Sequence, residues 1–379
     1  MRIGLDGIPL GEIKTGVGHY TFELARALAG VAPGDEFELV SPHPYVAADG
    51  GEGEQALPPN LRLTRAEAGR LSRRRWWSLG LPLYVRHARL DLFHGTNYDV
   101  PLWGGCPTVV TVHDLSTLLH PETHEKYLVR RARRRLPVMA RRATAIITPS
   151  ESVRRETCEH LGVGAEKVFV VPEAARRTFR PAAREETAEA RRRLGVEDEF
   201  VLFVGTVEPR KNLLTLARAF DEILRETSLR PQLVIAGKEG WLADELYTYL
   251  KGAGVVRERV RFTGYVSDRD LRALYSSCRA FVYPSLYEGF GLPPLEAMAC
   301  GAPVITSRVP SLTETVGDAA LLVPPAAYRE LAQVVIRVLR DSGERERLSS
   351  AGLRRAAAFS WEKTARATLD VYREALKEG

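Results

Sequence analysis

Short apolar runs recur along the whole chain, and a loop and then a helical or irregular stretch follow nearly every one. In the first half they cover residues 2–5, 37–40, 61–63, 92–94, 108–112, 145–148 and 168–171. In the second half the series continues through 200–204, 232–236, 260–266, 280–283, 303–306 and 321–325. Strands that alternate with helices build parallel sheets wrapped in helices, so the fold class is α/β. A chain of 379 residues is long for one core and natural for two. The first domain is expected over 1–173. Residues 174–198 are rich in Ala, Arg and Glu, hold Pro181, and read as a linker with a helix ending at Leu194-Gly195. The second domain covers 199–360, and a last helix begins at Trp361. Residues 50–59 are polar and glycine-rich and read as a surface loop.

Composition narrows the class. Apolar residues make up 45% and charged ones 27%, ordinary for a soluble globular protein. Cys106, Cys158, Cys278 and Cys300 show no CxxC spacing, so they read as small core residues in a reducing compartment. No apolar stretch reaches 18 residues and no leader-like start is visible, which places the chain in the cytoplasm. The net charge of +6 is unevenly spread. Residues 60–160 hold 18 Lys and Arg against 9 Asp and Glu, an excess of 9. The clusters are 70–77, where Arg73-Arg74-Arg75 precede Trp76-Trp77, and 126–142. They suit either an anionic membrane surface or a solvated Arg-rich helix. No motif for nucleic acid accompanies them.

The most informative stretch is Tyr287-Glu288-Gly289-Phe290-Gly291-Leu292-Pro293-Pro294-Leu295-Glu296, with Ala297 to Gly301 after it. It follows a buried strand, so its loop lies at a strand's carboxyl end, where open α/β sheets bind ligands. Gly289 and Gly291 let backbone approach a ligand. The following helix offers free N–H groups and partial positive charge, with Glu296 read in its first turn. Two carboxylates beside such donors suit a polyhydroxylated ligand that carries phosphate. The spacing Glu288…Glu296 within YEGFGLPPLEAMACGAPVI resembles the signature of the family-4 retaining glycosyltransferases, nucleotide-sugar enzymes of the GT-B type. The resemblance implies two Rossmann-like domains facing a central cleft, with the last helix (361–379) crossing back to the first.

The resemblance assigns roles along the chain. After the strand at 200–204, Gly205-Thr206-Val207-Glu208-Pro209-Arg210-Lys211-Asn212 matches the family's basic pair. Arg210 and Lys211 at a helix start would hold the donor diphosphate and stabilise the leaving nucleotide. Glu296 would take the ribose hydroxyls, and Glu288 the donor sugar. Gly289, Phe290, Gly291 and Leu292 would line that loop. Gly16, Val17 and Gly18 match a glycine-rich loop whose backbone meets the diphosphate. Gly237, Lys238, Tyr265 and Val266 lie on strand ends that in relatives flank the base. His113, in Val112-His113-Asp114, matches a histidine beside the donor sugar. Asp6, Tyr20, His94, Asn97 and Tyr98 are acceptor-side candidates. Where many relatives carry Pro-Asn-Gly, this chain has Pro172-Glu173-Ala174, which leaves that turn open.

The implied chemistry is metal-independent transfer of a hexosyl unit, with no cofactor beyond the nucleoside diphosphate sugar. The acceptor would be a glycan or lipid-linked molecule of surface polysaccharide synthesis. The stretches RIGLDGIPL and TGVGHYT resemble bacterial mannosyl-type members, which favours GDP-mannose. UDP- and dTDP-sugars stay open, as do a sugar-nucleotide epimerase and a non-catalytic nucleotide-sugar-binding subunit.

Overall fold

The computed structural model describes residues 1–11, 16–45, 57–67 and 69–378. Thr15 and residues 50–56 of the glycine-rich loop read above lie outside them. The chain forms two compact units. One comprises Met1–Leu115, Tyr127–Glu173 and Ser360–Gly379, the other Ser116–Lys126 and Ala174–Phe359.

The first unit is built on seven strands: β1 (Arg2–Asp6), β2 (Glu36–Ser41), β3 (Leu61–Arg65), β4 (Leu92–Gly95), β5 (Thr108–Thr111), β6 (Ala145–Thr148) and β7 (Val168–Val170). They pair in the order β3-β2-β1-β4-β5-β6-β7, all parallel. β4, β5 and β6 are buried along their whole length, as strands covered on both faces must be. Helix Gly16–Val31 turns Tyr20, Leu24 and Leu28 inward, one stripe at four-residue spacing. The last helix, Trp361–Glu378, belongs to this unit and packs on Gly16–Val31 and near β5 and β6. Its buried stripe is Trp361, Ala365, Leu369 and Tyr372. Full burial of each large apolar side chain contributes about 1.5–3 kcal/mol. Leu24, wholly enclosed, would cost about 2–5 kcal/mol on truncation to Ala.

The second unit repeats the plan with β8 (Phe200–Val204), β9 (Gln232–Ala236), β10 (Val260–Gly264), β11 (Ala280–Tyr283), β12 (Val304–Ser307) and β13 (Leu321–Val323). The order is β10-β9-β8-β11-β12-β13, again all parallel. In each sheet the first strand in sequence has its successors on one side and later strands on the other. That reversal opens a crevice at the strand ends, between β1 and β4 and between β8 and β11. Phe203, Tyr283 and Phe281 stack in series with ring centres 5.9 Å apart, and hold β8 and β11 in register beneath the crevice.

Two segments depart from the sequence reading. The stretch read as a linker is part of the second unit, because helix Arg184–Leu194 packs on helix Asp268–Ser277. Ser116–Lys126, read within the first domain, also belongs to the second unit. Its backbone and rings find partners there. Trp241 Nε1 donates to the Thr123 carbonyl at 2.9 Å, and the His120 ring lies 5.2 Å from that of Tyr287.

Candidate active site

The loops after β8 and β11 meet at the crevice of the second unit. The first is a tight turn, with residues Pro209–Lys211 in one 3₁₀ turn and Asn212 left-handed at φ 57°. Asn is among the few side chains that adopt that conformation readily. Here its Nδ2 donates to the carbonyls of Pro284 (3.0 Å) and Pro325 (2.8 Å), tying three loops together. The backbone of Leu286 donates to the Arg210 carbonyl at 2.8 Å. The turn therefore aims its two cations into the second loop.

There they meet Glu288. Lys211 Nζ donates to Oε1 at 2.6 Å and Arg210 Nη1 to Oε2 at 3.0 Å. Lys211 also donates to Tyr283 Oη at 2.7 Å, and Arg210 Nη2 to Glu208 Oε1 at 2.8 Å. Lys211 and Glu288 keep only 8% and 9% of their surface exposed. Burial works against the Glu288 charge, but Lys211 and Arg210 overcome it and bring its pKa down to about 2. Burial, and then the charge of Arg210, press the Lys211 pKa below its ordinary value, against the pull of Glu288 and Glu208. Two cations and two carboxylates thus stand fixed at the place where a charged ligand would arrive.

The Glu288 carbonyl accepts from Ser311 Oγ, and that of Phe290 from Thr315 Oγ1 at 2.7 Å. Gly291 sits at φ 112°, and a Cβ there would lie 2.5 Å from Leu312. Its glycine serves the turn into helix Leu292–Ala299 as well as any ligand. Pro293 and Pro294 occupy the first turn, where no N–H is missed. Glu296 falls one turn further in than the first-turn position read from sequence, since its helix already starts at Leu292. It is buried, and its Oε1 accepts from Arg176 Nε at 3.0 Å.

The base-side candidates divide. Tyr265 is 57% exposed and Lys238 is exposed as well. Val266 packs in the hydrophobic core, so its side chain is not offered to a ligand. Gly237 holds φ 146°, and a Cβ would collide with the Gly205 carbonyl. Close approach of strand ends therefore explains that glycine.

In the first unit, Gly16, Val17 and Gly18 form the start of helix Gly16–Val31 rather than a loop. Their N–H groups are still among those a helix leaves without an internal partner. Behind them lies a buried polar network. His94 pairs through Nδ1 with Tyr372 Oη (2.7 Å) and through Nε2 with Thr111 Oγ1 (2.8 Å). Burial, then the nearby His113, push its pKa down to about 3, so it is neutral and internal, which corrects the acceptor reading. Tyr20 is likewise enclosed, with its hydroxyl 3.0 Å from Thr111 Oγ1. Asp6 is buried, its Oδ1 accepts from the Ile8 N–H at 3.0 Å, and burial raises its pKa to about 7. These three support the crevice from within. Asn97 and Tyr98 stay partly exposed, and Tyr98 Oη accepts from the Asp114 N–H at 3.0 Å.

His113 is different. Its Nε2 lies 2.8 Å from the Thr96 carbonyl and its Nδ1 3.2 Å from Glu173 Oε1. Both partners are acceptors, so the pairing favours a ring that donates from both nitrogens. Burial opposes that charge, but Glu173 and the Thr96 carbonyl raise the pKa above its ordinary value. Tyr20 meets the ring edge-on at 4.7 Å.

Comparison with known proteins bears on this geometry. The family description "Glycosyltransferase Family 4" matches residues 14–175, and "Glycosyl transferases group 1" matches 185–355. The O-antigen chain mannosyltransferase B of Escherichia coli is 32% identical, over 98% of this chain and 100% of its own length. The chain belongs to the family-4 glycosyltransferases. It is also 28% identical to the MMP alpha-(1->4)-mannosyltransferase of Mycolicibacterium hassiacum, over 99% of this chain and 98% of that protein. The serotype-specific mannosyltransferase WbdA of Escherichia coli is 31% identical over 71% of this chain, which spans about a third (34%) of that longer protein. Among solved structures, sucrose-phosphate synthase from Thermosynechococcus elongatus superposes with a TM-score of 0.79 at 24% identity, covering 100% of both chains. WaaG, described as a glycosyltransferase involved in lipopolysaccharide biosynthesis, gives 0.73 at 16% identity, over 98% of this chain and 99% of that one. The fold is GT-B, and the chain is a glycosyltransferase, mannosyltransferase-like in sequence.

Three side chains that pair with the residues predicted from sequence were not themselves assigned from it. Glu208 stands inside the basic motif, two residues before Arg210. Glu173 stands in the Pro172-Glu173-Ala174 turn that the sequence reading left open. Arg176 carried no signal, because its partner Glu296 lies 120 residues away.

Proposed function

We propose that this glycosyltransferase moves a mannosyl unit from GDP-mannose to a glycan or lipid-linked acceptor of surface polysaccharide, with retention at the anomeric carbon. The observation that carries the reading is Glu288 held between Lys211 and Arg210. Two cations fixed before any ligand arrives pay no reorganisation when charge develops on a leaving diphosphate. Their carboxylate, kept ionised, accepts from the hydroxyls of the donor sugar. Glu296 takes the ribose hydroxyls, and exposed Lys238 and Tyr265 lie to hand for the base. The leaving diphosphate takes the acceptor proton on the face from which it departs. The only small molecule the reaction then needs is the sugar nucleotide. The mannosyl donor rests on the mannosyltransferases that match over full length.

A thermal-shift screen against GDP, UDP, ADP, dTDP and their sugar conjugates tests the donor. Ligand at about 100 times Kd stabilises the native state by about 2.7 kcal/mol. A shift confined to GDP and GDP-mannose is the expected result. A shift with UDP or dTDP alone would keep the site and replace the donor. Silence from every nucleotide would overturn the catalytic reading.

The lipid-linked acceptor draws support from helix Lys126–Arg142. With Leu102 it lines a groove of about 460 Å³ that presents Arg130, Arg131, Arg134 and Arg135 beside Tyr127 and Val138. Tyr127 is among the most exposed large apolar residues described. Among the described residues no helix is long and apolar enough to cross a membrane, so the contact proposed is peripheral. Co-sedimentation with anionic but not zwitterionic vesicles, abolished by high salt, is the expected behaviour.

A further inference from the structure

We infer that Arg176 is a positioning residue for the donor nucleotide, acting through Glu296 on the ribose diol. The inference rests on the reading of Glu296 given above. Arg176 lies in the irregular stretch between β7 and helix Arg184–Leu194. That stretch is anchored from both sides. Ala174 is fully enclosed, and Phe179 is buried edge-on against Tyr275 with ring centres 5.6 Å apart. The Arg176 guanidinium carbon sits 4.4 Å from the centre of the Phe179 ring, within cation–π range.

From there the planar group spends separate donors on two helices. Nε donates to Glu296 Oε1 at 3.0 Å, and Nη1 to Asp268 Oδ2 at 2.7 Å. Asp268 is the first residue of helix Asp268–Ser277. Arg176 and Glu296 keep 8% and 6% of their surface exposed. A buried carboxyl without a cation swings away or takes a proton. A vicinal diol offers two hydroxyl donors and needs a fixed, acceptor-only carboxylate. Guanidinium supplies what that demands: a charge that is never lost, and a rigid fork that sets the carboxylate plane. Burial opposes the Arg176 charge, yet Glu296 and then Asp268 lift its pKa still higher. Phe179 fixes the fork by packing, and Asp268 fixes it by charge. Glu296 therefore receives its orientation from a segment outside its own motif.

Calorimetric titration of the full chain with GDP and UDP, and with their 2′,3′-dideoxy forms, tests this. Arg176→Gln is expected to weaken the bound ribose nucleotide at least tenfold, and to leave the dideoxy form within about twofold of wild type. Arg176→Lys should fall between the two, because it keeps the charge and loses the fork. Should Arg176→Gln lower Tm so far that it is not folded, Arg176→Lys carries the same comparison. Equal losses for ribose and dideoxy forms would overturn the inference, since a merely structural residue weakens both. Glu296→Gln, run alongside, separates the two claims. If it erases the preference for ribose while both Arg176 variants keep it, the role of Arg176 fails and that of Glu296 stands. If wild type and Glu296→Gln bind ribose and dideoxy forms alike, the reading of Glu296 fails and takes this inference with it.

Discussion

At the crevice of the second sheet, Glu208, Arg210, Lys211 and Glu288 meet as ions. At the corresponding crevice of the first sheet, Tyr20, Thr21, Thr96, Thr111 and a neutral His94 meet through hydroxyls. Both clusters are buried, and both lie where the strand order reverses. The difference lies in how burial is tolerated. A hydroxyl network needs only its hydrogen bonds, each contributing about 1 kcal/mol net. Buried ions need opposite charges held in place, and losing one partner costs about 3–5 kcal/mol. A sheet that handles a diphosphate has reason to carry the second kind. The first kind needs no counter-ion to stay buried.

Lys211→Ala should break the comparison most sharply. It leaves Glu288 with one cation and removes a positive charge from the proposed leaving group. We expect turnover to fall at least 100-fold, about 2.7 kcal/mol, and unfolding free energy to drop by about 3–5 kcal/mol. Donor hydrolysis and denaturant titration read the two effects. A near-wild-type rate would show that the ion cluster is structural only.

Acid exposes the same cluster. The Glu288 pKa, brought down to about 2 from an ordinary 4.5, marks a stabilisation that is complete above pH 4.5. It is lost as pH falls through about 2. The full span is on the order of 3 kcal/mol. Glu288→Gln should flatten that part of the stability profile, though the variant is less stable at neutral pH because its two cations then face each other. If both proteins lose stability in parallel from pH 4.5 downward, the carboxylate is not held as its geometry indicates.

His94 gives the contrast from the first sheet. Its pKa, lowered to about 3, means that the unfolded chain takes up a proton first. The stability it contributes is present above pH 6.5 and drains away as pH falls toward 3, by about 1.4 kcal/mol per unit. His94→Gln should cost about 1–3 kcal/mol and leave nucleotide binding unchanged. A large loss of nucleotide affinity would return His94 to the ligand surface.

The strands and the functional loops were legible because they depend on neighbours in sequence. The apolar runs, the turn holding Arg210 and Lys211, and the passage from Glu288 to Gly291 each carry their own signal. What stayed hidden is set by distant partners. A histidine closing a strand looks the same whether it faces a ligand or the interior, and His94 faces Tyr372, 278 residues further on. Gly16 to Gly18 read as a loop because glycine is a poor helix former. Their position at the helix start, with the stripe of Tyr20, Leu24 and Leu28 behind them, overrides that propensity. Ser116–Lys126 could not be assigned without Trp241 and Tyr287.

The smallest expected effect is the one that sharpens the comparison most, because it concerns an ion pair of the first unit, His113 with Glu173. Glu173 and the Thr96 carbonyl both face His113 as acceptors and favour its charged form. Its raised pKa contributes stability that is fully present below pH 6.5 and lost as pH rises through the folded value, opposite in sign to His94. Glu173→Gln keeps the shape and removes the charge. Nδ1 can then release its proton at lower pH, and the His113 resonance in a proton NMR titration should move toward or below the ordinary imidazole value. The stability change should stay near 1 kcal/mol at neutral pH. If His113 titrates unchanged in Glu173→Gln, the Thr96 carbonyl alone holds its proton, and the departure from Pro-Asn-Gly at Pro172-Glu173-Ala174 is a change of turn and not of charge.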